Sequence, residues 1–155
     1  LASSTPPDPA ASLLCSTAWL HDLQASAEAA ELGPLQLAWL GDAVWELHQR
    51  LRQCHQPARV ATVHRAVVAA VQAEAQVQVL QQLEPLLSEA ELDWVRRGRN
   101  RAPRGPRRAD AATYGQATGF ETMLGWLFLR NPKRLAELLD HLEKTDPPPP
   151  SHGTP

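Results

Sequence analysis

Two cysteines, Cys15 and Cys54, are the only thiols in 155 residues. They form no CxxC pair and have no regular histidine spacing around them, which argues against a zinc site and against a disulfide framework. A reducing compartment suits such a chain, so a cytoplasmic location is expected, or a plastid one if a transit peptide has been removed. Nor does any apolar run approach the roughly 20 residues needed to cross a bilayer, because Asp, Glu, Arg or Gln interrupts each candidate. No membrane contact is expected. Residues 1–10 lack a basic segment followed by an apolar one, so no secretory signal is read there. Also missing are a Gly-rich phosphate loop, a Ser-His-Asp or Cys-His arrangement, an internal repeat, an alternating strand pattern and a heptad run. Chemistry in this chain therefore falls to carboxylates.

What is present is helical patterning at a length that holds one domain. Residues 1–10, with Pro6, Pro7 and Pro9, read as a disordered lead. Residues 11–145 read as a single all-α domain, and residues 146–155, with four consecutive prolines, as an extended or disordered tail. An amphipathic helix is expected over 11–31 around Leu13, Leu14, Trp19, Leu20 and Leu23, ended by Gly33-Pro34. The next helix, 35–53, is expected to bury Leu37, Leu40, Val44, Leu47 and Leu51. Valines and alanines at three- and four-residue intervals predict one helix from about 60 to 83. Ser88 and Glu91 have the capping-box spacing for a short helix that stops at Gly98. Residues 98–110 are expected to be a loop, followed by a helix over 111–130. Asn131-Pro132 then starts a last helix whose apolar face is Leu135, Leu138, Leu139 and Leu142. All five tryptophans, at 19, 39, 45, 94 and 126, are expected to face the core.

The helix 35–53 is unusual in carrying Asp42 and Glu46, four residues apart and hence on one face, within an otherwise apolar run. A second carboxylate, Glu121, follows Thr118-Gly119-Phe120. Small residues next to each acid, Gly41 and Ala43 on one helix and Gly119 on the other, permit close helix approach. If the two helices cross, Asp42 and Glu121 meet, and a cation or a proton must compensate the pair. A hard divalent ion held by a few carboxylates and waters is the usual compensation where phosphate chemistry occurs. From periodicity alone, exposed carboxylates on solvated faces are the plainer reading. His48, near the acidic helix, reads as a surface or packing residue rather than a base.

Charge is also unevenly placed. Arg96, Arg97, Arg99, Arg101, Arg104, Arg107 and Arg108 occupy one stretch with no acid among them. The net charge is −2, so removing these seven positive charges leaves −9 for the rest of the chain. Such a cluster suits a phosphate backbone and suits a solvated loop equally well.

Taken together, Leu37-Ala38-Trp39-Leu40-Gly41-Asp42-Ala43-Val44-Trp45-Glu46-Leu47, Arg97-Gly98-Arg99-Asn100, Ala109-Asp110, Tyr114 with Ala117-Thr118-Gly119-Phe120-Glu121, and Leu124-Gly125-Trp126-Leu127 resemble the Mini-III ribonucleases. These are the compact branch of the ribonuclease III family, without the double-stranded-RNA-binding domain. The resemblance spans about residues 35–142. It implies a ribonuclease-III-like helical bundle and a homodimer that cleaves double-stranded RNA with Mg²⁺, or with Mn²⁺ in its place, leaving 5′-phosphate ends. The substrate it implies is the large-subunit (23S) ribosomal RNA precursor, with ribosomal proteins as further partners.

Residue by residue, the resemblance makes Asp42 and Glu121 the catalytic, metal-binding pair. Glu46 and Thr118 become supporting positions behind them. Arg97, Arg99, Asn100, Arg101, Arg104, Arg107 and Arg108 become the RNA-binding set, which reads A-form shape more than sequence. Positions that are acidic in the larger enzymes align with Leu35, Ala38 and Thr118, as is usual in the compact branch. Where the family often has Lys-Asn before Ala109-Asp110 and Arg after the tyrosine, this chain has Arg107-Arg108 and Gly115. The thin acidic set leaves a second expectation, an inactive scaffold that binds structured RNA. A helical module that binds only protein is a third.

Overall fold

The computed structural model describes residues 17–27, 31–54, 58–104 and 108–145. The expectations for 1–10 and 146–155, for Leu13, Leu14 and Cys15, and for Arg107 fall outside these residues. Cys54 is a free, exposed thiol. Every regular element among the described residues is helical: α1 (Ala18–His21), α2 (Pro34–Cys54), α3 (Val60–Ala70), α4 (Ala73–Leu83), α5 (Glu89–Arg101), α6 (Arg108–Arg130) and α7 (Pro132–Thr145). A single 3-10 turn, Glu84–Leu86, links α4 to α5. No helix among them is long and apolar enough to cross a membrane.

Helix α6 is the axis of the bundle. It packs against α2, α5, α4 and α7, and a helix enclosed on most sides must be apolar or small on most sides. Accordingly Ala117, Phe120, Met123, Leu124 and Leu127 are buried, as are Gly115, Gly119 and Gly125. Phe120, Met123, Leu124 and Leu127 join Leu20, Val44, Trp45, Leu80 and Leu83 and the α7 stripe Leu135, Leu138, Leu139 and Leu142 in one core. The edge of the Trp45 ring meets Phe120, with centroids 5.2 Å apart.

Two glycine contacts set how α6 meets its neighbours. A Cβ on Gly41 would run into the backbone carbonyl of Glu121, and one on Gly125 into the carbonyl of Leu37. Helices α2 and α6 thus cross backbone to backbone at Gly41 and Gly125. On the other side of α6, a Cβ on Gly98 of α5 would collide with Thr122, and one on Gly119 would lie 2.5 Å from the Val95 carbonyl.

Local signals account for several helix ends. Ser88 Oγ accepts from the Glu91 N–H at 3.2 Å, and Glu91 accepts from the Ser88 N–H at 2.7 Å, which closes the capping box. Asn131 Oδ1 accepts from the Arg134 N–H at 3.1 Å, as expected of the cap before Pro132. Arg134 also joins the starts of α5 and α7: its Nε donates to Glu91 at 2.8 Å, and its guanidinium donates to the Leu86 carbonyl at 2.8 Å. Burial works against the Glu91 carboxylate, yet the bonds from Arg134 and Ser88 outweigh it and hold its pKa below the ordinary value.

Other expectations are corrected. Of the helix expected over 11–31, the described part holds only Ala18–His21; the chain then leaves the helix, and the Ser26 N–H donates to the Leu129 carbonyl of α6. The helix expected over 60–83 is broken at Val71-Gln72, where Gln72 is extended. Trp45 Nε1 donates to the Ala70 carbonyl at 3.0 Å, satisfying one of the carbonyls that a helix end leaves open. Gly98 does not stop α5, which continues to Arg101; this glycine is used for close packing against α6. Leu47 is exposed, and Trp39 is 83 % exposed rather than in the core. Apolar residues lie on both faces of α2, the exposed one mixing Leu35, Trp39 and Leu47 with Asp42 and Arg50, so periodicity alone does not tell which of them the core takes.

Candidate active site

The α2–α6 crossing determines the site. Because Gly41 lies against the Glu121 carbonyl, the side chains of Asp42 and Glu121 emerge beside one another at the rim of the crossing. The two carboxyl groups are close enough for each to affect the ionisation of the other. The plainer expectation, two separate carboxylates on solvated faces, is not what the fold produces. Glu121 is half-buried, whereas Asp42 is on the exposed side.

Burial is the main cause that pushes Glu121 up to about 7. The charge of Asp42 and its hydrogen bond push in the same direction, and the carboxamide of Gln76 pulls against them. Asp42 is raised too, first by burial and then by the charge of Glu46, while its bond with Glu121 works the other way. Two neighbouring carboxyls that both resist ionisation share a proton or attract a cation. Two hard oxygen donors on a half-open face fit Mg²⁺, which keeps several waters and takes one or two carboxylates from the protein. Among the described residues no group of three or more His, Cys, Asp or Glu side chains converges on a metal-sized site.

The expected supporting residues behave differently from one another. Glu46 lies on the same face as Asp42 and its charge helps raise the Asp42 pKa, but it is held in an ion pair with Arg50, at 3.0 Å to Nε and 2.5 Å to the terminal nitrogen. Thr118 is buried, and its hydroxyl donates to the Tyr114 carbonyl at 2.9 Å within α6. Its proton is therefore not directed to either carboxylate. His48 is fully buried, packed on Trp45 with ring centroids 5.7 Å apart and 3.8 Å from Glu143. It is a packing residue, in line with the expectation.

The arginine set lies on helix as well as loop. Arg97, Arg99, Asn100 and Arg101 belong to the last turns of α5, Arg104 follows them, and Arg108 begins α6. Arg97 is braced: Asp93 accepts from its Nε at 2.6 Å, and its guanidinium lies 4.7 Å from the Trp94 ring centre. Trp94 in turn stacks on Trp126. Arg96 shares Asp93. Arg99, Asn100 and Arg104 line a concavity with Gly115 and Gln116. A Cβ on Gly115 would make ordinary contact with the Arg99 side chain, at 3.4 Å.

Sequence reasoning missed Gln76. It lies on α4 in register with Leu80 and Leu83 and is 1 % exposed. A glutamine on an otherwise leucine stripe is the signal that marks it.

Comparison with known proteins identifies the family. Residues 35–132 match the model of the ribonuclease III domain. The Mini-ribonuclease 3 of a Synechococcus strain is 51 % identical over 120 residues, covering 77 % of this chain and 87 % of that one. The Mini-ribonuclease 3 of a Synechocystis strain is 49 % identical over 118 residues, covering 76 % and 82 %. A crystal structure of a Fusobacterium nucleatum protein superposes with a TM-score of 0.67 at 26 % identity, covering 77 % of this chain and 98 % of that one. By its sequence and its fold, the chain belongs to the ribonuclease III domain family, within the Mini-ribonuclease 3 group.

Proposed function

We propose that this protein is a Mg²⁺-dependent endoribonuclease that cleaves double-stranded RNA, with the large-subunit ribosomal RNA precursor as its substrate. Membership of the family supports ribonuclease activity in general. The observation that carries the finer reading is the meeting of Asp42 and Glu121 at the α2–α6 crossing. In this reading the two carboxylates hold Mg²⁺, and Mn²⁺ can replace it. When bound, the ion lowers the pKa of a water and offsets charge building on the phosphate and the leaving 3′ oxygen.

The chain's own residues supply the rest. Asp42 approaches from the solvent side and Glu121 from the buried side, so their oxygens converge from two rigid helices. Arg97, Arg99, Asn100, Arg101 and Arg104, with Arg107 and Arg108 beyond them, bind the duplex by phosphate and 2′-hydroxyl contacts. Arg97 keeps its orientation through Asp93 and Trp94. The products carry 5′-phosphate and 3′-hydroxyl ends.

A homodimer is part of the same reading. Leu35, Trp39 and Leu47 repeat at helical spacing along the exposed face of α2, at 46 %, 83 % and 42 % exposure. An apolar stripe of that kind favours burial against a second copy.

Incubating the protein with Mg²⁺ and a structured RNA, beside Glu121→Ala, tests the proposal. Wild type should cut and the variant should lose at least about 100-fold in rate, the scale of a catalytic electrostatic group. Equal cleavage by both removes Glu121 from the mechanism. The small number of carboxylates favours the second reading, a non-cutting RNA-binding scaffold; salt-sensitive RNA binding with no metal-dependent cleavage is its signature.

A further inference from the structure

Helix α4 reaches the site through one side chain. Its buried stripe is Gln76, Leu80 and Leu83, and Gln76 is as deeply enclosed as the leucines, at 1 % exposure. A primary amide in that position is unfavourable unless it is hydrogen-bonded. The Nε2 atom has no partner at full bonding geometry among the protein atoms. Helix α4 packs on α6, and there the carboxamide comes near enough to the Glu121 carboxylate to hold its pKa down. Gln76 and Asp42 both act on Glu121 from outside its own helix, one from the interior and one from the solvent side.

The chemistry of the amide suits that place. Lysine or arginine there would neutralise Glu121 and compete with a cation, while leucine would leave the buried oxygen without a donor. A neutral N–H donor satisfies one carboxylate oxygen and leaves the negative charge available at the other. Carboxylates that bind metal ions are regularly oriented by such outer hydrogen bonds.

We propose that Gln76 is a positioning residue. Its side-chain N–H donates to the inner oxygen of Glu121 and so turns the outer oxygen toward Asp42 and the divalent cation the two share. The proposal rests on the reading of Asp42 and Glu121 as a metal-binding pair. It adds α4 to α2 and α6 as a helix that shapes the site.

The test uses the full chain with Gln76→Met, which keeps the length of the side chain and removes the donor. Gln76→Asn, which keeps the amide and shortens its reach, serves as a second variant. Mn²⁺ affinity is measured by electron paramagnetic resonance titration without RNA, and kcat and KM are measured on duplex RNA. Both variants should keep the helical circular dichroism of the wild type and bind Mn²⁺ about 10-fold more weakly or worse. At a fixed, subsaturating Mg²⁺ concentration kcat should fall while the KM for RNA stays unchanged. In a Glu121→Gln background, Gln76→Met should weaken Mn²⁺ binding no further.

Mn²⁺ affinity unchanged in both variants overturns the proposal, as does equal weakening with and without Glu121. Wild type that binds no Mn²⁺ overturns it as well. Wild type that binds Mn²⁺ but cuts no duplex contradicts the nuclease reading alone, because the affinities still decide the role of Gln76.

Discussion

The proposed chemistry depends on one side chain in an unfavourable place. Glu121 is half-buried beside a second acid, and burial above all pushes its pKa up to about 7. The ordinary value, which applies in the unfolded chain, is 4.5. Between these values the folded, metal-free protein binds more protons than the unfolded chain, so its stability falls as pH rises through that window. The expected loss is about 1–3 kcal/mol. Urea melts in chelator at about pH 5 and about pH 8 should show it in wild type, and Glu121→Gln should flatten the difference. An equal loss in the variant would show that Glu121 does not titrate in this way. A divalent cation reverses the balance by favouring the ionised pair, so Mg²⁺ should raise the melting temperature more at the higher pH.

At the scale of elements, the site is a consequence of how closely two helices approach. With a Cβ at position 41, α2 would have to withdraw from the Glu121 carbonyl. Backbone cannot yield as a flexible side chain can, so Gly41→Ala should destabilise by about 3 kcal/mol or more, the upper end for overpacked cores. A thermal melt within about 1 kcal/mol of wild type would contradict this account of the crossing. The variant that still folds should also bind Mn²⁺ more weakly, since Asp42 and Glu121 move apart together with their helices.

Much of this element-level picture is legible in the chain itself. The capping box at Ser88 and Glu91, the Asn131-Pro132 start and the α7 leucine stripe are local signals, and the structure bears them out. Gly41 beside Asp42 points to the close approach, whereas Gly119, expected to serve the same crossing, packs on Val95 of α5, and Gly125 is the α6 glycine that meets α2. What local pattern does not carry is the choice among partners. The Val71-Gln72 break has no Gly or Pro to announce it, and it is accommodated by Trp45 donating to the Ala70 carbonyl from another helix. Gly98 reads as a stop, but its role is decided by Thr122 and Gly119 across the α5–α6 contact. Trp39 and Leu47 sit on a helix with apolar residues on two sides, and only tertiary packing selects which of them are covered. The role of Gln76 likewise depends on α4 meeting α6.

At the scale of the whole molecule, the apolar face of α2 and the basic end of α5 divide the labour proposed here. Under that proposal the first would join two copies and the second would bind the duplex. Trp39→Glu places a charge in the centre of the exposed stripe without touching the core, so it should leave the helix content and the melting transition of the monomer intact. Sedimentation equilibrium should shift from dimer to monomer. A variant that sediments like the wild-type dimer would move the interface away from Leu35, Trp39 and Leu47. Two linked copies would also present two arginine surfaces to one RNA, which gains affinity through effective concentration.

The central claim is that the α2–α6 crossing makes Asp42 and Glu121 into one divalent-cation site. Anomalous diffraction from crystals soaked in Mn²⁺ measures it most directly. The account predicts a single strong peak in contact with an oxygen of each carboxylate, and its loss in Glu121→Gln crystals soaked in the same way. Carboxylates lying more than about 10 Å apart, too far to share an ion that holds its ligands at about 2.1 Å, would contradict it. So would a saturating soak that leaves no ion between them.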